Sequence, residues 1–359
     1  MEDFAETAAL PRFLATAVGS MPHRDAREAV DLSFSSLTKA PHVPQVPRCD
    51  PREQMWIQFT EGLPGFKVDL EQLKYRFDTS DDTAEEVEQF FAHYLEVIEG
   101  APPDRVSIGE EYGRGIHRFL NRLEQDGKHY PFIKLQVTGP LTFALGIADQ
   151  SEKPVFFHPL FKDVAVKGMG LKAMWLIEQF KPFAEQIIMF FDEPTLSAYG
   201  SSAMLGVSRE DVITALDEVI DMASSRGAIC GVHCCGNTDW GLLMESSTRI
   251  LNFDAVAYMD TLALYPTHLR EFLDRGGVLA WGAVPNTPEI TGETADTVIN
   301  RIRAGVDLLV EKSGADKETL TSKMIVTPAC GCGSLSVEFT EKVYRVLADL
   351  DEGSWEEKW

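Results

Sequence analysis

Five of the six cysteines in this 359-residue chain fall in two short clusters, Cys230/Cys234/Cys235 and Cys330/Cys332. The first cluster lies in Gly231-Val232-His233-Cys234-Cys235-Gly236-Asn237. If a strand runs through Cys235, alternation puts His233 and Cys235 on one face and Cys230 and Cys234 on the other. An imidazole and a thiolate two residues apart can then grip one ion. The second cluster, Thr327-Pro328-Ala329-Cys330-Gly331-Cys332-Gly333, carries glycines that let the backbone turn sharply and approach a ligand. Either Cys330 or Cys332 can supply a second thiolate. A His/Cys/Cys set suits Zn²⁺, and three protein ligands leave a position for substrate. The plainer alternative is a cysteine-rich core around a satisfied histidine, with Cys230 as a small buried residue.

These residues need a frame that brings positions 233 and 330 together. Apolar runs rich in β-branched and aromatic residues predict strands at 13–18, 105–109, 132–137, 187–191, 228–233, 254–259, 277–282 and 324–328. Helical patterns occupy 24–38, 80–99, 112–126, 155–181, 208–226, 262–275, 294–313 and 336–350. The helix from Ser208 opens on Ser-Arg-Glu-Asp, a capping-box-like start, and stops at Gly227. Eight strands alternating with helices predict an α/β fold, a (β/α)₈ TIM barrel, over a doubly wound open sheet. Residues 1–359 are read as one barrel domain, with 39–104 an elaborated connection after the first strand.

In such a barrel the chemistry gathers where strands end. Those ends carry Ser20, Glu110, Asp192-Glu193, His233 to Asn237, Asp260 and Cys330 to Cys332. An Asp-Glu-Pro after a strand also has a structural use, satisfying N–H groups at a helix start. The formal charge of −23, from 33 basic and 56 acidic residues, repels phosphate backbones and anionic lipids and argues against nucleic acid as a partner. No apolar run approaches a membrane span, and the acidic N-terminus is unlike a signal peptide, so the expected location is cytoplasmic.

Taken in order, these motifs resemble the C-terminal catalytic barrel of cobalamin-independent methionine synthases and, more broadly, the uroporphyrinogen-decarboxylase-like methyltransferase superfamily. Val18-Gly19-Ser20 is similar to the family's Ile-Gly-Ser turn, and Gly109-Glu110 to its Gly-Glu. Thr138-Gly139-Pro140-Leu141-Thr142 resembles Thr-Gly-Pro-Val-Thr, and Phe191-Asp192-Glu193-Pro194 resembles Ile-Asp-Glu-Pro. His233-Cys234-Cys235 is similar to His-Met-Cys, and Thr327-Pro328-Ala329-Cys330-Gly331 to Asn-Pro-Asp-Cys-Gly. Tyr258-Met259-Asp260-Thr261 stands where the family has Ile-Glu-Thr. The segment from His233 to Thr238 also resembles His-Ile-Cys-Gly-Asn-Thr of corrinoid-dependent methyltransferases.

The resemblance implies a zinc-dependent thiol methyltransferase. It implies His233, Cys235 and Cys330 as zinc ligands, Asp260 as a fourth, and Ser20, Glu110 and Asp192 around an amino-acid substrate. The implied acceptor is a small thiol, homocysteine foremost. Without a duplicated N-terminal barrel in the chain, the implied donor is methylcobalamin or a methyl-corrinoid, with a corrinoid protein as partner. Three rivals are a coenzyme M-type corrinoid methyltransferase, a uroporphyrinogen decarboxylase-like lyase, and a non-catalytic zinc- or corrinoid-binding protein. The lyase wants an arginine cluster, which Gly-Ser-Met-Pro at 19–22 interrupts.

Overall fold

The computed structural model describes residues 10–352. Strand β1 (Leu14–Ala15) precedes an antiparallel hairpin, β2 (Phe66–Asp69) and β3 (Lys74–Phe77). Then come β4 (Tyr130–Thr138), β5 (Ala184–Asp192), β6 (Ile229–Cys234), β7 (Ile250–Asp254), β8 (Val278–Val284) and β9 (Ile325–Pro328). All but the hairpin join one seven-stranded sheet in the order β1-β9-β8-β7-β6-β5-β4, and every neighbouring pair is parallel. Parallel neighbours need crossovers, which the helices Pro159–Phe180, Arg209–Ser225, Pro266–Asp274 and Ala295–Ser313 supply. The Ser208 capping box forms as the sequence predicts, and Gly227 follows the helix with a φ of +90°.

Register assigns the inner face. Ile188 pairs with Ile229, Ile250 with Val278, and Ala280 with Ile325, making a buried apolar layer with Leu14 and Phe190. Side chains alternate along each strand, so the next inward positions above that layer include Asp192, His233 and Asn252. The register pairs Asp192 with His233 and His233 with Asn252. Gly231 makes room beneath them: a Cβ there would stand 2.8 Å from the Phe190 ring and 2.9 Å from Ile250.

The sheet curls, and no regular eighth strand closes it among the described residues. The expected strand at 105–109 is instead a 3₁₀ turn, Asp104–Val106, and loop. Its slot is taken by residues 39–46. The N–H of Phe132 donates to Lys39 O, that of Lys134 to Pro41 O, and that of Val43 to Lys134 O. On the other side Gln45 N–H donates to Gly19 O, and Met21 N–H to Gln45 O. Pro41 and Pro44 remove ladder donors, so this stave pairs only through isolated bridges, His42 with Lys134 and Ser20 with Gln45. The predicted strand at 254–259 is also displaced. β7 ends at Asp254, whose carboxylate accepts the N–H groups of Val256 and Ala257 at 2.8 and 2.9 Å and turns the chain into the helix Met259–Leu262. No helix among the described residues is long and apolar enough to cross a membrane.

Candidate metal centre

β6 delivers His233 to the inner face, and Cys235 follows just past its end. The turn after β9 delivers Cys330. One ligand atom from each of the three lies within 4.8 Å of the other two. Residues 97 positions apart in sequence thus meet at one point, and they are the three that the family resemblance implies. Cys332 does not join them: it is buried in the core, and its N–H donates to Ser20 O. Cys230 and Cys234 are buried too, on the outer side of β6.

The histidine is aimed by a neighbouring strand. His233 Nδ1 lies 2.6 Å from Asn252 Oδ1, while Asn252 Nδ2 donates to Ala280 O and Thr327 Oγ1, each at 2.9 Å. Thr327 Oγ1 donates to Pro328 O and so accepts from Asn252. That chain fixes the amide oxygen toward the ring, which places the proton on Nδ1 and leaves Nε2 with its lone pair. Nε2 is buried and has no hydrogen-bond partner among the described residues. An orphaned imidazole nitrogen beside two sulfurs, with its other nitrogen held by an amide, fits a zinc ligand set.

The three groups act on one another electrostatically. Cys330 beside Cys235 pushes the Cys235 thiol down to about 4 despite burial, with His233 adding to the effect. Cys330 is raised in turn, first by Cys235 and then by burial. Burial alone would lower His233, but the Cys235 sulfur and Asp192 lift it.

A cavity of about 170 Å³ opens beside this cluster, walled in part by Ser20, Gln45, Met55, Gln136, Thr138 and Asp192. Asp192 Oδ1 is buried and has no partner among the described residues. Burial raises its carboxyl, opposed by Lys134. Lys134, fully buried one inward position below Gln136, sits 4.6 Å over the Phe190 ring. Its ammonium donates to Val18 O and to Gln136 Oε1, and burial pushes it down to about 8. Glu193 has the structural task foreseen for one carboxylate of this pair. It accepts the N–H groups of Leu141 and Thr142 at 2.8 and 2.7 Å, at the start of the helix Pro140–Gly146.

The other expected site residues divide. Ser20 and Asp192 line the cavity. Glu110 does not: it is exposed on the loop after the 3₁₀ turn. Asp260 is exposed in the first turn of its short helix and is outside the cluster, because β7 ends six residues earlier than that placement needs. Asn252, Gln45, Met55, Gln136 and Lys134 are new. The inward period of two along the strand ending in Thr138 was the available signal for Gln136 and Lys134.

No protein-family model and no curated sequence matches the chain. Solved structures do. A methyltransferase from Methanosarcina mazei superposes with a TM-score of 0.54 at 12% identity, covering 96% of this chain and 94% of that one. A protein from Listeria monocytogenes assigned as a vitamin-B12-independent methionine synthase superposes with a TM-score of 0.53 at 12% identity, covering 98% and 99%. At this identity the likeness is one of fold, and over nearly its whole length the chain has the fold of these two proteins.

Proposed function

We propose that the chain is a zinc-dependent methyltransferase acting on a small thiol, homocysteine foremost, with methylcobalamin or a methyl-corrinoid as donor. The observation that carries the reading is the meeting of His233, Cys235 and Cys330 at the wall of a cavity that also holds an unpartnered carboxylate. His233 through Nε2 and the two cysteines through Sγ would hold the ion. Zinc so held supplies positive charge that favours the thiolate of a bound thiol, a species scarce at neutral pH when the thiol is free.

The chain's own groups do the rest. Asn252 keeps His233 in the Nδ1–H form. Asp192 Oδ1 receives the substrate ammonium, and Lys134 beneath it balances the carboxylate while the site is empty. Ser20 offers a hydroxyl at the mouth. An ammonium contact favours an amino-acid thiol over a sulfonate thiol such as coenzyme M. The test is to mix the protein with methylcobalamin and either thiol and follow demethylation by absorbance. Loss of the methyl–cobalt spectrum with homocysteine, faster than with coenzyme M, supports the reading. No demethylation with either thiol or with a methyl-corrinoid protein contradicts it.

A further inference from the structure

The connection from 39 to 104 builds a second cavity, of about 300 Å³, away from the metal centre. Its walls are Gly62-Leu63-Pro64, the helix Ala84–Ile98 and the Arg105–Val106 turn. The walls are fastened. Gly62 has a φ of +75°, and a Cβ there would lie 2.5 Å from Arg105 O, so only glycine allows this approach. Lys172, fully buried on the helix Pro159–Phe180, donates to Glu61 O at 2.6 Å and Ser107 O at 3.4 Å, tying both edges together. Leu63 seats where Gly168 has no side chain, 2.6 Å from an added Cβ.

The lining is apolar from Leu63, Pro64, Phe90 and Val106, with two opposite charges, Arg105 and Glu86. The two are not paired with each other or with any other charge among the described residues. Glu86 spends only one oxygen, Oε2, which accepts Gly65 N–H at 2.8 Å. Beneath them His93 is 5% exposed, and neither ring nitrogen has a hydrogen bond. Its Nδ1 lies 3.6 Å from a Glu96 oxygen, beyond hydrogen-bond reach. Separated unpaired charges of opposite sign over an apolar wall complement a zwitterion that carries an apolar side chain.

We infer that this cavity binds a free apolar amino acid, its carboxylate on Arg105, its ammonium on Glu86 and its side chain against Leu63 and Phe90. The two cavities share one stretch of chain. Met55 and Phe59 line the first cavity, and Gly62 to Pro64 line the second, so one ten-residue segment forms a wall of both.

The test is calorimetric titration of the full chain with L-leucine, which has no sulfur to enter the metal centre. Isocaproate and isoamylamine, which lack its ammonium and its carboxylate respectively, are the controls. Saturable binding of L-leucine is expected. It should weaken about tenfold or more in Arg105→Gln and in Glu86→Gln, and in either control ligand, and be unchanged in Cys330→Ala. Glu86→Gln keeps an acceptor for Gly65, which guards against a folding artefact in the arginine variant. No heat up to about 10 mM overturns the proposal, as does binding indifferent to both substitutions. Binding lost in Cys330→Ala also overturns it, by placing the amino acid at the metal centre. Because Cys330→Ala removes the metal centre, failure here and failure of the methyltransferase reading are separable.

Discussion

Asn252 stands directly across from His233 in the β6–β7 register, its amide oxygen 2.6 Å from the imidazole Nδ1. The amide is itself oriented by a backbone carbonyl and a threonine hydroxyl, so the ring has one tautomer and one direction. Asn252→Leu removes that support and leaves all three proposed ligands in place. Zinc affinity should fall by about 10- to 100-fold, the usual range for a lost outer partner. Competition with a chromophoric chelator measures it; unchanged affinity would show that the ring is held some other way.

Among the described residues Asp192 is the one carboxylate on the cavity wall, and its Oδ1 has no partner. Asp192→Asn should raise KM for homocysteine by about 10- to 100-fold, the range of a charge-assisted hydrogen bond. The same substitution should leave or improve the use of a sulfonate thiol. Steady-state kinetics with the two thiols reads the ratio, and an equal loss for both would deny Asp192 its ammonium.

Asp260 and Glu110 make the converse case. Both are exposed and outside the cluster and cavity. Asp260→Asn and Glu110→Gln should each keep the zinc content of the unmodified chain and change thiol KM by less than about twofold. Loss of zinc in Asp260→Asn, seen by metal analysis, would mean that the helix Met259–Leu262 rearranges to bring the carboxylate in.

Burial holds the Lys172 amine down at about 7 in the folded chain, against an ordinary lysine value above 10. Between those values the unfolded chain carries the proton and the folded one does not. Stability therefore rises with pH across that window, and the penalty is fully present below about 7. Lys172→Met should lack this contribution, so the difference in unfolding free energy between the two proteins should shift by a few kcal/mol from pH 7 to 10. Denaturant melts across that range test it; parallel curves would mean that the amine stays charged inside.

Much of the site was legible because strand alternation and two sulfur clusters are local signals. His233 and Cys235 need only the period of two, whereas alternation left Cys330 and Cys332 open and the family resemblance implied Cys330. What was missed has physical causes. Residues 39–46 act as a stave of the sheet although Pro41 and Pro44 make them read as a loop. The Asp254–Met259 run is apolar enough to suggest a strand, yet Asp254 caps its own turn, while Asn252 breaks the apolar pattern of the true strand. Asn252 is paired with Ala280 and Thr327, and Lys134 in part with Val18, all distant in sequence, and nothing near them in the chain announces those partners.

The central claim is that His233, Cys235 and Cys330 hold one ion with a place left for substrate sulfur. X-ray absorption at the zinc edge, on the purified chain before and after homocysteine, tests it most directly. The account predicts about one zinc per chain with two sulfur neighbours and at least one nitrogen, gaining a third sulfur with the thiol, and lost in Cys330→Ala. A chain without stoichiometric zinc, or zinc whose sulfur count does not change when the thiol is added, would contradict it.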